Sequence, residues 1–291
     1  MIRIGILGTD NSHADEFSRL ANDMENDKYL YEDVRVTHVF GHDKTETEEL
    51  AKKHNIPNIV KDPAEMLGEV DAVMVVFRDG IYHYRYAEPF IKAGIPVWVD
   101  KPITIDPAEC KKMIGLAKEY NCPLSGGSNC KYADDIKSIK KYVESRKLPI
   151  ASAMINFSLQ IDSIYSGFYF YASHCVEMAT AIFGYDVKSV TAHRNNTSVN
   201  AVFEYDKFDV HLGFLPVAGK YSCYLLERLH NTKIDIEIND IAEHAFDDFV
   251  RCIRERTTTY PMEDLLKSVV LMNATYKAFN ERKTVEINYN I

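Results

Sequence analysis

Three short stretches hold the residues whose types and spacing could do chemistry. Asp100-Lys101-Pro102 follows the apolar run Ile95–Val99. A charged pair at the carboxyl end of a buried strand stands where open α/β sheets bind their ligands. Pro102 holds the residue before it in an extended backbone, so Lys101 is aimed, although Asp-Lys-Pro by itself reads first as a solvated loop. His174 and Glu177 lie three apart in a helical pattern and project from one face. Such a pair can be a general base with an orienting carboxylate, two ligands of a divalent metal, or the polar face of a surface helix. Gly8-Thr9-Asp10-Asn11-Ser12-His13 joins a strand pattern to a helical one. A dinucleotide pyrophosphate docks at that place, on the amides of a helix start.

The third stretch is an altered glycine fingerprint. If Gly8 is the first glycine of G-x-G-x-x-G, the second falls on Asp10 and the third on His13. An aspartate there adds bulk and a like charge, and Asp15 and Glu16 add negative potential that suits the helix dipole but competes with a phosphate. Without a cofactor, the stretch reads as a tight strand-to-helix turn with Ser12 as N-cap and Asp15 three residues on. After the next strand, Val34–Phe40, come His42 and Asp43. Asp43 could hold the ribose hydroxyls or be a turn aspartate, and His42 could tolerate a 2′-phosphate, so NAD and NADP both stay open.

The elements that must position these residues alternate regularly. Ile2–Leu7, Val34–Phe40, Val70–Phe77 and Ile95–Val99 read as strands, the third without alternation and so central. Between them a stripe of Ala14, Phe17, Ala21 and Met24, then segments 46–55, 81–93 and 107–120, read as helices, with Asp62-Pro63 and Asp106-Pro107 as helix starts. This order predicts a doubly wound parallel sheet over 1–121. From Cys122 the rhythm changes. Leu124–Gly127 is one last strand and Asp134–Glu144 a helix; β-type runs follow at Ile150–Leu159, Val187–His193, Val199–Tyr205, Phe208–Leu215, Tyr221–Leu229 and Ile234–Ile238, then helices at Ile241–Arg256 and Met262–Glu281. Residues 122–291 are thus expected to form an α+β domain with a large, mostly antiparallel sheet covered on one face. The open face, carrying aromatics, suggests a homodimer or homotetramer.

Composition bounds the rest. The chain has 291 residues, 46% hydrophobic and 26% charged, with a net charge of -9 that argues against nucleic acid. Its six cysteines form no Cys-x-x-Cys pair, no basic-apolar leader opens the chain, and no apolar run reaches spanning length. A reduced, cytoplasmic protein off the membrane is expected. A metal reading would need His13, His174 and Glu177, with Asp10; it ranks last and no metal is expected.

Together these features resemble the Gfo/Idh/MocA oxidoreductases, the relatives of glucose–fructose oxidoreductase and inositol dehydrogenase. GILGT at Gly5–Thr9 resembles the family's opening strand and turn. His83 followed by AGIPVWVDKP resembles H…AL-x-AG-K-x-V-x-x-E-K-P, with Asp100 in place of the glutamate. Phe168–Gly184 resembles the D-x-G-x-H-x-x-D helix, and Tyr260–Ile287 the C-terminal helix and closing strand. The resemblance implies a Rossmann domain binding NAD or NADP and hydride transfer with a sugar, inositol or similar polyol. It implies that Lys101 stabilises charge on the reacting oxygen, that His174 is the general base, and that Glu177 contacts substrate hydroxyls or orients His174. It implies that Gly8, Thr9, Asp10, Asn11, Ser12 and His13 cover the pyrophosphate, that Phe77 and Arg78 border the nicotinamide, and that His83, Asp100 and Lys101 complete the cofactor side. Departures are Phe170 for an aspartate four residues before the histidine, for which Tyr169 or Tyr171 could substitute a hydrogen bond, Arg78-Asp79-Gly80 for Thr-Pro-Asn, and Asp10 and His13 for glycines. The alternative they raise is a non-redox protein on the same fold that binds a sugar-like ligand.

Overall fold

The structure, a computed structural model, describes residues 1–25, 31–146, 150–216, 219, 221–228 and 230–289. In chain order the elements are β1 (Ile2–Leu7), α1 (Ser12–Asn22), β2 (Val34–Phe40), α2 (Lys44–Lys53), β3 (Asn58–Ile59), β4 (Ala72–Val75), α3 (His83–Lys92), β5 (Val97–Val99), α4 (Pro107–Glu119) and β6 (Leu124–Gly126). Then come α5 (Asp134–Glu144), β7 (Ser152–Ser158), α6 (Tyr169–Phe183), β8 (Ser189–Arg194), β9 (Val199–Glu204), β10 (Asp209–Leu215), β11 (Tyr221–Leu226), β12 (Asn231–Ile236), α7 (Ile241–Glu255), α8 (Met262–Glu281) and β13 (Val285–Glu286). Short 3₁₀ turns lie at Pro63–Met66, Gly80–Tyr82 and Asn129–Tyr132. No helix among the described residues is long and apolar enough to cross a membrane.

The chain forms two compact units. The first comprises Met1–Thr104, Ala108–Gly127 and Ala242–Leu265. Its sheet has the order β3-β2-β1-β4-β5-β6, and every pair is parallel. The order reverses between β1 and β4, the switch point at which a crevice opens outside the carboxyl ends of the strands. β4 and β5 are buried throughout, as their unbroken apolar runs demand. This unit departs from a cut after residue 121 in two ways. β6 pairs with β5 and so completes the first sheet. α7 also belongs here: Phe246 stacks on Phe17 at 6.1 Å and Phe249 meets Trp98 edge-on at 5.9 Å, so its apolar stripe finds its core in this unit.

The second unit comprises Ile105–Pro107, Ser128–Ile241 and Leu266–Ile291. Its sheet runs β12-β11-β7-β10-β9-β8-β13, antiparallel except for β7 beside β10. α6 packs on β7 and β10, with α5 and the turn Asn129–Tyr132 beside it. The opposite face exposes Met154, Tyr224 and Leu226. Two boundaries differ from the sequence reading by three residues. The strand expected at Tyr221–Leu229 ends at Leu226, and its expected last residue, Leu229, lies outside the described residues. The strand expected at Ile234–Ile238 starts at Asn231, because pairing with β11 fixes it from Leu226↔Asn231 to Tyr221↔Ile236. That edge strand carries Lys233 and Asp235, charges that protect an edge and hide its apolar signal.

Candidate active site

In the first unit, chemistry gathers at the carboxyl ends of β1, β4 and β5. Gly8 turns the chain out of β1 at φ 106, and a Cβ there would lie 2.4 Å from the backbone nitrogen of Phe77. Only glycine meets both demands. The N-cap of α1 is Asn11 rather than Ser12: its side chain accepts from the backbone N–H of His13, whereas Ser12 is exposed. The Asn11 amide also donates to the Val76 carbonyl at 3.1 Å and to Asp100 Oδ2 at 2.8 Å. One side chain therefore ties the start of α1 to the ends of β4 and β5. The helix stops at Asn22, before Met24, because Asn22 turns its amide to the Val36 and His54 carbonyls.

Asp100 is fully buried and also takes His13 Nδ1 at 2.9 Å on both oxygens. Burial opposes its charge, but the attraction and hydrogen bond of His13 outweigh it and hold the carboxyl down at about 2. Burial likewise opposes the His13 cation, and Asp100 again prevails, so the imidazole is held above its ordinary value. Lys101 follows at the end of β5, 4% exposed. His83 is fully buried, with Nδ1 at 2.8 Å from the Pro102 carbonyl and Nε2 at 2.8 Å from that of Phe77. Both ring nitrogens face backbone oxygens, so His83 braces the segments carrying Phe77 and Lys101.

The carboxylates that argued for a ligand-free turn are accounted for individually. Asp15 meets Lys53 at 2.5 Å and His54 at 2.7 Å, and these hydrogen bonds overcome partial burial to hold it below the usual carboxylate range. Asp10 accepts from the Arg78 N–H at 3.3 Å. Burial raises Glu16. Asp43 caps α2 by accepting from the Glu46 N–H, the turn-aspartate role. His42 stacks on Phe77 at 4.8 Å and bonds Tyr86 at 2.8 Å. A cavity of about 330 Å³ borders this turn, lined by Thr9, Asp10, Asn11, Glu46, Lys53 and Arg78 among others. With the N–H groups of the first turn of α1 beside it, this arrangement fits the phosphate-and-ribose half of a dinucleotide.

In the second unit, α6 is buried on nearly all sides, residues 172–180 without exception. The surface-helix alternative fails, because His174 and Glu177 both lie in this buried stretch. His174 Nδ1 is 2.7 Å from Ser128 Oγ and 3.4 Å from Cys130 Sγ, and its ring lies 5.0 Å from that of Phe157. Ser128 Oγ also accepts from the Cys130 N–H at 3.1 Å. Glu177 does not orient His174: its carboxylate accepts from Lys131 Nζ at 3.0 Å, in a pair whose side chains are 3% and 8% exposed. Phe170 packs against Tyr165 and Tyr171. Tyr169 donates to Asn273 at 3.0 Å. Ser128 and Lys131 escape sequence reasoning because each partner lies 46 residues away. Among the described residues no three His, Cys, Asp or Glu converge to hold a metal ion.

Residues 2–128 match the family described as the Gfo/Idh/MocA oxidoreductase family, NAD-binding Rossmann fold. The uncharacterized oxidoreductase YhhX of Escherichia coli (strain K12) is 25% identical over 194 residues, 60% of this chain and 54% of that protein. UDP-N-acetylglucosamine 3-dehydrogenase of Acidithiobacillus ferrooxidans is 37% identical over 62 residues, 21% of this chain and 20% of that protein. The chain thus spans about half or less of the curated relatives it matches. Among solved structures, myo-inositol 2-dehydrogenase from Lactobacillus plantarum superposes with a TM-score of 0.85 at 14% identity, covering 99% of both chains. Scyllo-inositol dehydrogenase from Lactobacillus casei, with bound NAD(H) and scyllo-inositol, gives 0.83 at 15% identity over 98% of this chain and 99% of the other. Residues 2–128 thus match the Gfo/Idh/MocA NAD-binding Rossmann domain, and the chain that contains them shares the fold of the inositol dehydrogenases.

Proposed function

We propose that this protein is a nicotinamide-dependent dehydrogenase that interconverts a hydroxyl and a ketone on a sugar, inositol or similar polyol. The observation that carries the reading is Lys101, buried at the carboxyl end of β5 next to Asp100, which Asn11 and His13 tie to the start of α1. NAD or NADP would be held by Gly8 to His13 and bordered by Phe77 and Arg78. When bound it supplies the hydride acceptor or donor.

The chain's own residues do the rest. The Lys101 ammonium donates a hydrogen bond to the reacting oxygen and stabilises the charge that grows on it. His174 takes the hydroxyl proton at Nε2. That role needs the tautomer in which Nδ1–H donates to Ser128 Oγ, whose other lone pair receives the Cys130 N–H. Once protonated, the imidazolium keeps the same donation, so the ring does not turn during the proton transfer. Phe170 supplies no acid or base, so the proton transfer rests on His174. Glu177, committed to Lys131, holds α6 in place.

NAD is the preferred form. Glu46 and Glu49 line the cavity beside the α1 start, and its lysine, Lys53, already answers Asp15. A 2′-phosphate would meet the carboxylates of Glu46 and Glu49 there, with Arg78 the other cation in the lining. A homo-oligomer through the open sheet face, where Met154, Tyr224 and Leu226 are exposed, fits this reading. The test is Lys101→Ala assayed against inositols, sugars and sugar acids. Turnover should fall by at least about a hundredfold with NADH affinity kept. Unchanged turnover on every accepted substrate would overturn the mechanism.

A further inference from the structure

His13 stands where the glycine fingerprint has its third glycine, and Asp100 where the resembled motif has a glutamate. Taken singly each is a blemish. In the structure they are one feature: the imidazole bonds the buried carboxylate at 2.9 Å, and Asn11 completes the joint at 2.8 Å. The shorter acid and the larger ring fill the same place, so the two departures compensate each other. We propose that His13 is a positioning residue whose cation neutralises Asp100 beside the pyrophosphate turn, making dinucleotide affinity depend on its protonation. The proposal rests on the nicotinamide reading above.

The electrostatics follow from what faces the ring. From β5 come Asp100, which attracts its charge, and Lys101, which opposes it. From its own helix come Glu16, which favours the charge, and the ring of Phe17 at 6.0 Å. Glu243 on α7 acts on Glu16 rather than on His13 directly. With His13 protonated, the pair is neutral and the turn presents amides to an incoming diphosphate. As pH rises and His13 loses its proton, the pair gives up the last proton it holds, and Asp100 remains ionised with Lys101 and the Asn11 amide beside it. A buried negative charge then stands next to a dianionic ligand, on a turn that already carries Asp10. Affinity must fall as pH rises through the titration of His13 and stay constant below it.

The experiment is NADH titration by fluorescence from about pH 6 to about pH 9 on the wild type, His13→Gln and the double variant His13→Gln/Asp100→Asn. Glutamine can still donate to Asp100 but carries no charge. Wild-type affinity should weaken about tenfold over that range, equal to about 1.4 kcal/mol. His13→Gln should bind weakly at every pH, and the double variant should recover acidic wild-type affinity to within about threefold. NMR titration of the His13 ring in the cofactor-free protein gives an independent readout, with a midpoint above the ordinary histidine value. If NADH binds but its affinity does not change with pH, or if His13 titrates at or below the ordinary value, the proposal is wrong and the dehydrogenase reading stands. If NADH binds at no pH, both fail. A purely packing role would lower the stability of His13→Gln without flattening its pH profile.

Discussion

Lys131→Met isolates the most buried ion pair of the second unit. Lys131 Nζ and Glu177 Oε2 are 3.0 Å apart, with side chains only 8% and 3% exposed. At that distance, with an effective dielectric of about 20, their attraction is about 5 kcal/mol. Desolvation of both ions consumes most of it, so the intact pair contributes little compared with two well-packed apolar residues. Removing one partner is different, because the surviving carboxylate stays buried inside α6's surroundings without its counter-charge. Lys131→Met should therefore cost about 3–5 kcal/mol, while Lys131→Met/Glu177→Met should recover to within about 1 kcal/mol of the wild type. Urea denaturation followed by circular dichroism measures all three. A single variant within about 1 kcal/mol of the wild type, or a double variant as unstable as the two single losses added, would refute this account of Glu177 and return it to the candidates for substrate contact.

Three further outcomes are expected. Gly8→Ala must relieve both the positive φ and a Cβ placed 2.4 Å from the Phe77 nitrogen; it should lose about 3 kcal/mol or more of stability and its NADH affinity, by denaturation and fluorescence titration. Ser128→Ala removes the oxygen that His174 Nδ1 and the Cys130 N–H share; it should cost about 1–3 kcal/mol and lower kcat about tenfold with NADH affinity unchanged. Acid should unfold the first unit early. The Asp100 carboxyl is held at about 2, and Asp15 and Asp71 are also depressed. Their stabilisation is present above the ordinary carboxylate range and disappears as pH falls through it. For Asp100 alone this is about 2 kcal/mol between about pH 4 and about pH 2, removed in Asp100→Asn.

Signals carried by one element were legible in the sequence, and signals carried by contact were not. The apolar runs at β1 and β4, the alternation of β2 and the helical patterns of α5 and α8 were legible within their own segments, and Met262–Glu281 appears at its expected bounds. Lys101 and His174 were visible through their local motifs. Misreadings arose where a side chain serves a distant partner. Ser12 looked like the cap, but Asn11 reaches both Val76 and Asp100 and so fixes the helix start. Glu177 looked like an orienting group for His174, but Lys131 claims it. Asp15 looked like a charge crowding a phosphate, but Lys53 and His54 come from α2 and its end to meet it. α7 looked like part of the second domain because it follows it in the chain, yet its aromatic stripe fits the core of the first. None of these pairings has a sequence spacing to announce it.

The most direct measurement is titration of the purified protein with NADH and NADPH near pH 6, by fluorescence and calorimetry. The account predicts micromolar binding of NADH and markedly weaker binding of NADPH. Failure of a well-folded protein to bind either would contradict it, and would make Lys101 and His174 contacts for some other ligand.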